Sequence, residues 1–198
     1  MLGNKKKKEY DLGKIQKQIK RKLSDSRFQH TLGVTYTAAA LAMRYEADLN
    51  HAMTAGLLHD CAKYMSADEL LKNCERYKIE VTATEKLNPA LLHAKVGAML
   101  AAKKYHVRDK DIISAIIHHT TGHPDMDVLD KILFVADYIE PNREPLPKID
   151  EIRKQAFVNL DKALVMILRA TLNHLHNMQN EIDDMTQKTY DFYVSKEE

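Results

Sequence analysis

The sequence has few of the residues that interrupt helices or build disulfide scaffolds. Six glycines and five prolines are spread over 198 residues, so breaks between helices should be few. Only two cysteines occur, Cys61 and Cys74, and they form neither a CxxC pair nor a disulfide framework. We therefore expect a reducing, cytoplasmic setting, and we expect Cys61 to be a small buried hydrophobic residue rather than a metal ligand.

The sequence also lacks an excess of charge and a long apolar run. Its 30 Lys and Arg residues nearly balance 28 Asp and Glu residues, and the net charge of +2 argues against a dedicated nucleic-acid-binding protein. No apolar run approaches the roughly 20 residues that a membrane-spanning helix needs, so no membrane partner is expected. The basic beginning, MLGNKKKKEYDLGK, is followed by no apolar segment, so we expect a frayed tail rather than a secretory signal.

Apolar residues recur at helical spacing along nearly the whole chain, which predicts a single all-α domain, a helical bundle. Neither an alternating run typical of a strand nor a repeat of fixed period is present. The predicted organisation is a basic N-terminal tail with the first helix (residues 1–26), a main domain (27–180) and a C-terminal tail packed on or near it (181–198).

Capping and stop signals predict where individual helices begin and end. The segment VLDKILFVADYIE is apolar on nearly all faces, so it is predicted to be a central buried helix that Pro141 ends. Two further helices are predicted near residues 10–23 and 28–45. Others are predicted to begin after an N-cap at Asn50, at a capping box at Ser66–Glu69, and at Pro89, the last of these ending near residue 105. The remaining two are predicted from near Asp109 to a stop at Gly122 and from near Asp150 to about residue 177.

Histidines and carboxylates interrupt these apolar runs. They are His30 in RFQHTLGV, His59 and Asp60 in AGLLHDCAK, His93 in PALLHAKVGA, His118 and His119 in AIIHHTTG, and Asp137 in KILFVADYIEP. A single histidine in an apolar stripe is usually a satisfied core residue, whereas a buried carboxylate needs a cation or strong donors. So many such positions together favour a metal site, because neutral imidazole and carboxylate oxygens suit Fe, Mn, Co or Zn.

The adjacent pair His59-Asp60 constrains where a metal could bind. Neighbouring side chains diverge by roughly 100° on an ideal helix, so both can reach one metal only near a helix end or groove. We expect the helix to break after Lys63. Lys63 follows His59 by four residues, and Arg27 precedes His30 by three, so each is expected on the helix face of its histidine.

The order of these residues resembles a known family pattern. His30, then His59-Asp60, then Asp137 resembles the H…HD…D signature of the HD superfamily of metal-dependent phosphohydrolases. The motifs RFQHTLGV, GLLHDCAK, LLHAKVGA, HTTG and ADYIEPNR further resemble the YqeK family of HD hydrolases, over roughly residues 27–164. The resemblance implies an HD hydrolase domain over residues 27–180 that cleaves diadenosine tetraphosphate symmetrically into two ADP at an iron-type centre.

The resemblance also implies a role for each residue. The expected metal ligands are His30, His59, Asp60 and Asp137, holding one or two ions, with Mn, Co or Zn as alternatives to Fe. Catalysis is expected to involve Asp60, Lys63, His93 and His119. The expected substrate contacts are Arg27, Lys63, His93, His119, Thr120, Thr121, Tyr138 and Arg143.

Several of these roles have alternatives. His93 and His119 either complete a second metal site or contact the phosphate being cleaved. Lys63 could instead be a surface lysine, the two threonines could simply terminate a helix, and Arg143 could form a rim salt bridge with Glu144. His118 is interpreted as structural or exposed, and no role is expected for His51, His106, His123, His174 and His176.

Rival functions remain open at this point. Another HD-type nucleotide phosphohydrolase, such as a nucleotidase or an alarmone hydrolase, would share the metal motif. A nucleotide sensor without turnover is disfavoured because every ligand position is filled, and a structural helical module would leave the buried Asp137 unexplained. The expected partners are a dinucleoside polyphosphate and its ADP product, with a homodimer as one arrangement of the chain.

Overall fold

A computed structural model describes residues 9–144, 146–178 and 183–196, and these ranges contain eleven α-helices and no β-strand. The predicted all-α class is confirmed; the N-terminal lysine run lies outside the described residues. No helix in these ranges is long and apolar enough to cross a bilayer. The helices are α1 Leu12–Lys20, α2 Asp25–Arg44, α3 Leu49–Leu58, α4 Ala67–Tyr77, α5 Ala83–Leu87, α6 His93–Lys103, α7 Lys110–His118, α8 Val128–Ile139, α9 Ile149–Ala156, α10 Leu160–Asn177 and α11 Asp184–Val194.

Helix α8 lies at the centre of the bundle, as its apolar sequence predicts. It contacts α2, α3, α7, α9 and α10, and Ile132, Leu133 and Val135 have no exposed surface. Glu140 caps its C-terminal end just before Pro141. The last turn of this buried helix therefore holds Asp137 inside the bundle, against α2.

Helices α2 and α3 pack unusually closely. A Cβ atom added at Gly56 would lie 2.7 Å from the Cα atom of Thr35, so only glycine permits this backbone approach. His30 lies five residues before Thr35 on α2, and His59 lies three residues after Gly56. The two rings consequently meet, with centroids 5.4 Å apart.

The predicted N-cap of α3 is wrong. Asp48 caps the helix instead, because its Oδ1 accepts the backbone N–H of His51 at 2.9 Å. The Asn50 side chain bonds the backbone of Tyr10 in both directions, at 2.8 Å to its N–H and 3.0 Å to its carbonyl. Asn50 thus ties the segment before α1 to α3 rather than starting a helix.

Two other boundaries differ from the prediction. The helix expected from Asp150 to about 177 is two helices, because the chain breaks after α9 and Asn159 caps α10 by accepting the N–H of Lys162 at 3.0 Å. Pro89 begins a 3₁₀ turn, Pro89–Leu92, and α6 starts only at His93. The Ser66 capping box is present, and Gly122 follows α7 with a φ of 65°, as a helix stop requires.

Helices α5 and α11 are not anticipated by the sequence analysis. Helix α11 packs against α10, and the hydroxyl of its Tyr193 accepts the backbone N–H of Met126 at 2.8 Å, just before α8. The C-terminal helix thus contacts the loop that leads into the central helix. The division of the chain at residues 26 and 180 stays a prediction.

Candidate metal centre

Four histidines and two aspartates meet inside the bundle. His30 comes from α2, His59 and Asp60 follow α3, His93 begins α6, His119 follows α7, and Asp137 lies in the last turn of α8. All except Asp137 are buried, and the Asp137 side chain is 20% exposed. The fold thus brings together all four predicted metal ligands and both of the additional histidines.

Asp60 lies between two pairs of histidines. Its Oδ2 atom is 3.9 Å from His30 Nε2 and 3.5 Å from His59 Nε2. Its Oδ1 atom is 3.2 Å from His93 Nε2 and 3.8 Å from His119 Nε2. Two candidate ligand groups therefore share this carboxylate, and in each group the ligand atoms lie within 4.8 Å of one another.

Asp137 adds a second carboxylate to the first group. Its Oδ1 atom is 3.0 Å from His30 Nε2 and 3.8 Å from His59 Nε2. The first group therefore offers two imidazoles and two carboxylates. The second group offers Asp60 with His93 and His119, whose Nε2 atoms are 3.1 Å apart.

The hydrogen bonds of the four rings fit metal binding. Each Nδ1–H donates to an oxygen: His30 to Glu140 Oε1 at 3.1 Å, His59 to the Gly56 carbonyl at 2.7 Å, His93 to the Ala90 carbonyl at 2.5 Å and His119 to the Ile116 carbonyl at 2.7 Å. This tautomer leaves every Nε2 lone pair facing the centre. The Nε2 atoms of His30 and His59 are buried without a hydrogen-bond partner. Imidazole nitrogens and carboxylate oxygens in this arrangement fit a transition metal.

The protonation preferences of the cluster also favour a cation at its centre. Burial raises the pKa of Asp60, but His59 and His93 outweigh it and hold that pKa well below its usual value. Burial lowers the pKa of His59, but Asp60 and Asp137 outweigh it, and the net pKa is raised. Burial, with His59 and His93, lowers the pKa of His119 to about 3, so this ring stays neutral. The carboxylates thus stay ionised and attract positive charge, which a bound metal ion would supply.

Three cationic side chains lie beside this cluster. Arg27 Nη1 is 3.0 Å from Asp60 Oδ2, and Arg143 Nη2 is 3.6 Å from Asp137 Oδ1. Lys63 Nζ lies 3.4 Å from His93 Nδ1. Arg27 and Arg143 are about one-third exposed and Lys63 is exposed, so positive charge surrounds the accessible side of the cluster.

The predicted break after Lys63 comes too late. Helix α3 ends at Leu58, His59 is its C-cap, and the chain turns as the Asp60 carbonyl accepts the Lys63 N–H at 2.9 Å. The expectation that His59 and Lys63 share a helix face is therefore wrong. Because helix α3 ends before His59, the side chains of His59 and Asp60 can both face the centre of the cluster.

A family model described as the HD domain matches residues 27–142. The chain belongs to the HD domain family. The resemblance to the HD superfamily that the sequence motifs indicated is thereby confirmed, and the matched range includes His59 and Asp60.

Similar proteins cover nearly the whole chain. A Bacillus subtilis (strain 168) protein named "Bis(5'-nucleosyl)-tetraphosphatase, symmetrical" is 40% identical over 177 residues, which are 89% of this HD-family chain and 94% of that protein. A Staphylococcus aureus protein of the same name is 30% identical over 190 residues, 95% of this chain and 97% of that protein. A solved Clostridium acetobutylicum structure is described as a "predicted HD superfamily hydrolase involved in NAD metabolism". It has a TM-score of 0.91 and 35% identity, and the match covers 96% of this chain and 100% of that chain.

Three predicted substrate contacts lie in cavities rather than in the cluster. Thr120 and Thr121 are half-buried and line a cavity of about 320 Å³ with Lys95 and Lys188. Tyr138 is half-buried and lines a different cavity of about 520 Å³. Each cavity thus includes a residue that directly follows a cluster residue, Thr120 after His119 and Tyr138 after Asp137.

Glu140 is a functional candidate that the sequence analysis missed. It is 1% exposed, its Oε1 accepts the His30 Nδ1–H at 3.1 Å, and its Oε2 accepts the Asn142 N–H at 2.7 Å. A Cβ atom added at Gly33 would fall against the Glu140 carboxylate, so Gly33 keeps space for it. The sequence does contain a signal for Glu140, because it is a carboxylate three residues after Asp137 at the end of the same apolar helix.

We expect Glu140→Gln to reduce metal affinity or activity roughly 10- to 100-fold, because a carboxylate bonded to a metal-binding histidine fixes the ring and raises its basicity. The amide keeps the size of the side chain but loses its charge. Metal titration and steady-state kinetics measure the change. Glu151→Gln, an exposed position on α9, is the matched control, and wild-type behaviour of Glu140→Gln would contradict the assignment.

Proposed function

We propose that this HD-family protein is a metal-dependent symmetrical bis(5'-nucleosyl)-tetraphosphatase that cleaves diadenosine tetraphosphate into two ADP. The observation that carries the proposal is the buried His–Asp cluster with Arg27, Lys63 and Arg143 beside it. The cluster suits a metal and the cations suit a polyphosphate. Relatives that carry this name at up to 40% identity support the choice of substrate.

We propose two metal positions that share Asp60. His30, His59, Asp60 and Asp137 would hold one ion, and Asp60, His93 and His119 would hold the other. Iron is the first choice, and Mn, Co and Zn suit the same ligands. A metal bound here polarises phosphoryl oxygens and lowers the pKa of water, which phosphoanhydride hydrolysis requires.

The chain's own residues bind and orient the substrate. Arg27 and Arg143 present guanidinium groups that can bind phosphate oxygens in pairs, and Lys63 offers a single positive charge. Both arginines now pair with cluster carboxylates, so they lie where the phosphate chain would approach the cluster. The four Nδ1–H hydrogen bonds hold the rings in place while substrate enters and leaves.

The two cavities suit the two ends of a symmetrical substrate. Diadenosine tetraphosphate has a nucleoside at each end, so a central cleavage site needs space on both sides. The cavity of about 520 Å³ with Tyr138 offers an aromatic ring for one nucleoside. The cavity of about 320 Å³ offers the hydroxyls of Thr120 and Thr121, with Lys95 and Lys188, for the other end.

The test is to incubate the purified, metal-loaded protein with diadenosine tetraphosphate and to identify the products. Two ADP per substrate is the expected result. AMP plus ATP would mean cleavage at another phosphorus, and absence of turnover would favour the sensor. Parallel assays with mononucleotides and alarmone nucleotides address the rival phosphohydrolases, which predict a higher kcat/KM on those substrates.

Arg143→Ala should lower kcat/KM roughly 10- to 150-fold, because a charged hydrogen bond contributes about 1.5–3 kcal/mol. An effect on KM alone would mean that Arg143 binds substrate and transition state equally, whereas a fall in kcat would mean that it binds developing charge. Steady-state kinetics with parallel metal analysis measure both.

Arg143→Lys should restore only part of this activity, because an ammonium lacks the paired donors of a guanidinium. Arg108→Ala, an exposed position before α7, is the control. Near wild-type kcat/KM in Arg143→Ala would mean that Arg143 lies at the rim of the site and does not bind the substrate.

We also propose a cytoplasmic location. Cys61 and Cys74 are both free and buried, which agrees with a reducing setting.

A further inference from the structure

A second His–Asp group lies at the junction of two helices. His118 is the last residue of α7, Asp130 lies in the first turn of α8, and His123 lies in the connecting loop. One ligand atom from each residue lies within 4.8 Å of the other two. We call this group the α7–α8 cluster. His118 also lines the cavity of about 320 Å³ that is proposed above for one end of the substrate, whereas His123 and Asp130 line neither of the two cavities.

The rings and the carboxylate of the α7–α8 cluster face one another. The His118 and His123 ring centroids are 4.0 Å apart with planes at 49°, and His123 Nε2 is 3.4 Å from Asp130 Oδ2. The Ser114 hydroxyl lies 3.2 Å from His118 Nδ1. Since that contact engages Nδ1, the Nε2 atom of His118 is the nitrogen left for a ligand bond.

Asp130 supplies an independent observation. The residue is 2% exposed, and its Oδ2 accepts the Asp127 N–H at 3.1 Å to cap α8. Its Oδ1 is buried and has no hydrogen-bond partner. A buried carboxylate oxygen without a partner is unfavourable, and burial raises the pKa of Asp130 although Ser114 and the Asp127 N–H act against it. This carboxyl therefore needs either a proton or a cation beside it, and the two facing imidazoles favour the cation. The His123 side chain is 26% exposed, which leaves a path from solvent.

We propose that His118, His123 and Asp130 bind one divalent transition metal ion of the Zn²⁺ type. This ion is separate from those of the HD centre, which is the cluster formed by His30, His59, Asp60, His93, His119 and Asp137. Two imidazoles and one carboxylate are ligands that Zn²⁺ binds, with water in a fourth position, and imidazole disfavours Mg²⁺ and Ca²⁺. The ion joins the end of α7 to the start of α8. It thereby restrains the loop that begins with His119, Thr120 and Thr121.

The experiment counts metal ions per chain. Full-length protein is loaded with Zn²⁺, freed of unbound metal by gel filtration and measured by elemental analysis. His123→Ala and Asp130→Asn should each bind one ion fewer than the wild type; the asparagine keeps an oxygen that can cap α8. His174→Ala, an exposed histidine on α10, should match the wild type. The difference in metal content between the wild type and each variant does not depend on how many ions the HD centre holds, and it can be measured without an activity assay.

A thermal measurement tests the restraint separately. At a Zn²⁺ concentration about 100-fold above the dissociation constant, the Tm of the wild type should rise roughly 5–10 °C more than the Tm of His123→Ala. Equal metal counts and equal Tm shifts in wild type and His123→Ala would overturn the proposal. A lower count with equal shifts would mean that the unfolded chain binds the ion about as well as the folded chain, and would overturn the proposed restraint between α7 and α8.

Discussion

The Asp60→Asn variant is expected to lose most of its bound metal. Its kcat/KM should fall by at least roughly 10³-fold, which corresponds to a loss of about 4 kcal/mol of transition-state stabilisation. Asp60 is the one cluster residue whose two oxygens face different histidine pairs, Oδ2 toward His30 and His59 and Oδ1 toward the other two. An amide keeps the shape but offers one weaker oxygen ligand and no negative charge. Both proposed ions should therefore bind more weakly at once.

Elemental analysis and steady-state kinetics on the same preparation measure this effect. The substitution conserves volume, so the helical circular dichroism spectrum should be unchanged, which separates metal loss from unfolding. Asp68→Asn, an exposed carboxylate on the first turn of α4, is the control and should match the wild type. Full metal content in Asp60→Asn would contradict a shared ligand.

The sequence predicts which residues form the His–Asp cluster because each of them violates a local rule. Asp137 lies within an apolar run on the buried helix α8, and the histidines interrupt apolar stripes in the same way. Such residues are unfavourable unless a partner exists, so they can be recognised without a structure. The fold then determines which of them meet, and the close approach at Gly56 that joins α2 to α3 is not visible in the sequence pattern.

Other features depend on contacts that local sequence does not encode. Asparagine is a residue type that often caps helices, but the hydrogen bonds of Asn50 go to Tyr10, 40 residues away in the sequence. The role of Glu140 likewise depends on His30, 110 residues distant. His118 interrupts an apolar run but was interpreted as structural or exposed, and His123 has no apolar context. The turn at Gly122 brings both histidines beside Asp130. Long-range geometry therefore decides what sequence patterns leave open.

The number of ions in the HD centre can be decided with His119→Ala. We expect this variant to lose one ion, to keep the other, and to lose roughly 10²- to 10³-fold in kcat/KM, because metal stabilisation of developing charge contributes several kcal/mol. His119 Nε2 lies 3.8 Å from Asp60 Oδ1 and 3.1 Å from His93 Nε2, whereas the ligands of the first position stay complete.

Comparison variants separate this outcome from a phosphate-binding role of His119. His93→Ala should lose the same ion as His119→Ala, and His30→Ala should lose the other one, since His30 belongs to the group with His59 and Asp137. His176→Ala, an exposed histidine on α10, is the control, and Tm measurements show whether removing the buried ring of His119 affects the fold. If His119→Ala keeps full metal content but loses activity, the second position does not exist. His93 and His119 would then contact the phosphate being cleaved, and the shared carboxylate would serve a single ion.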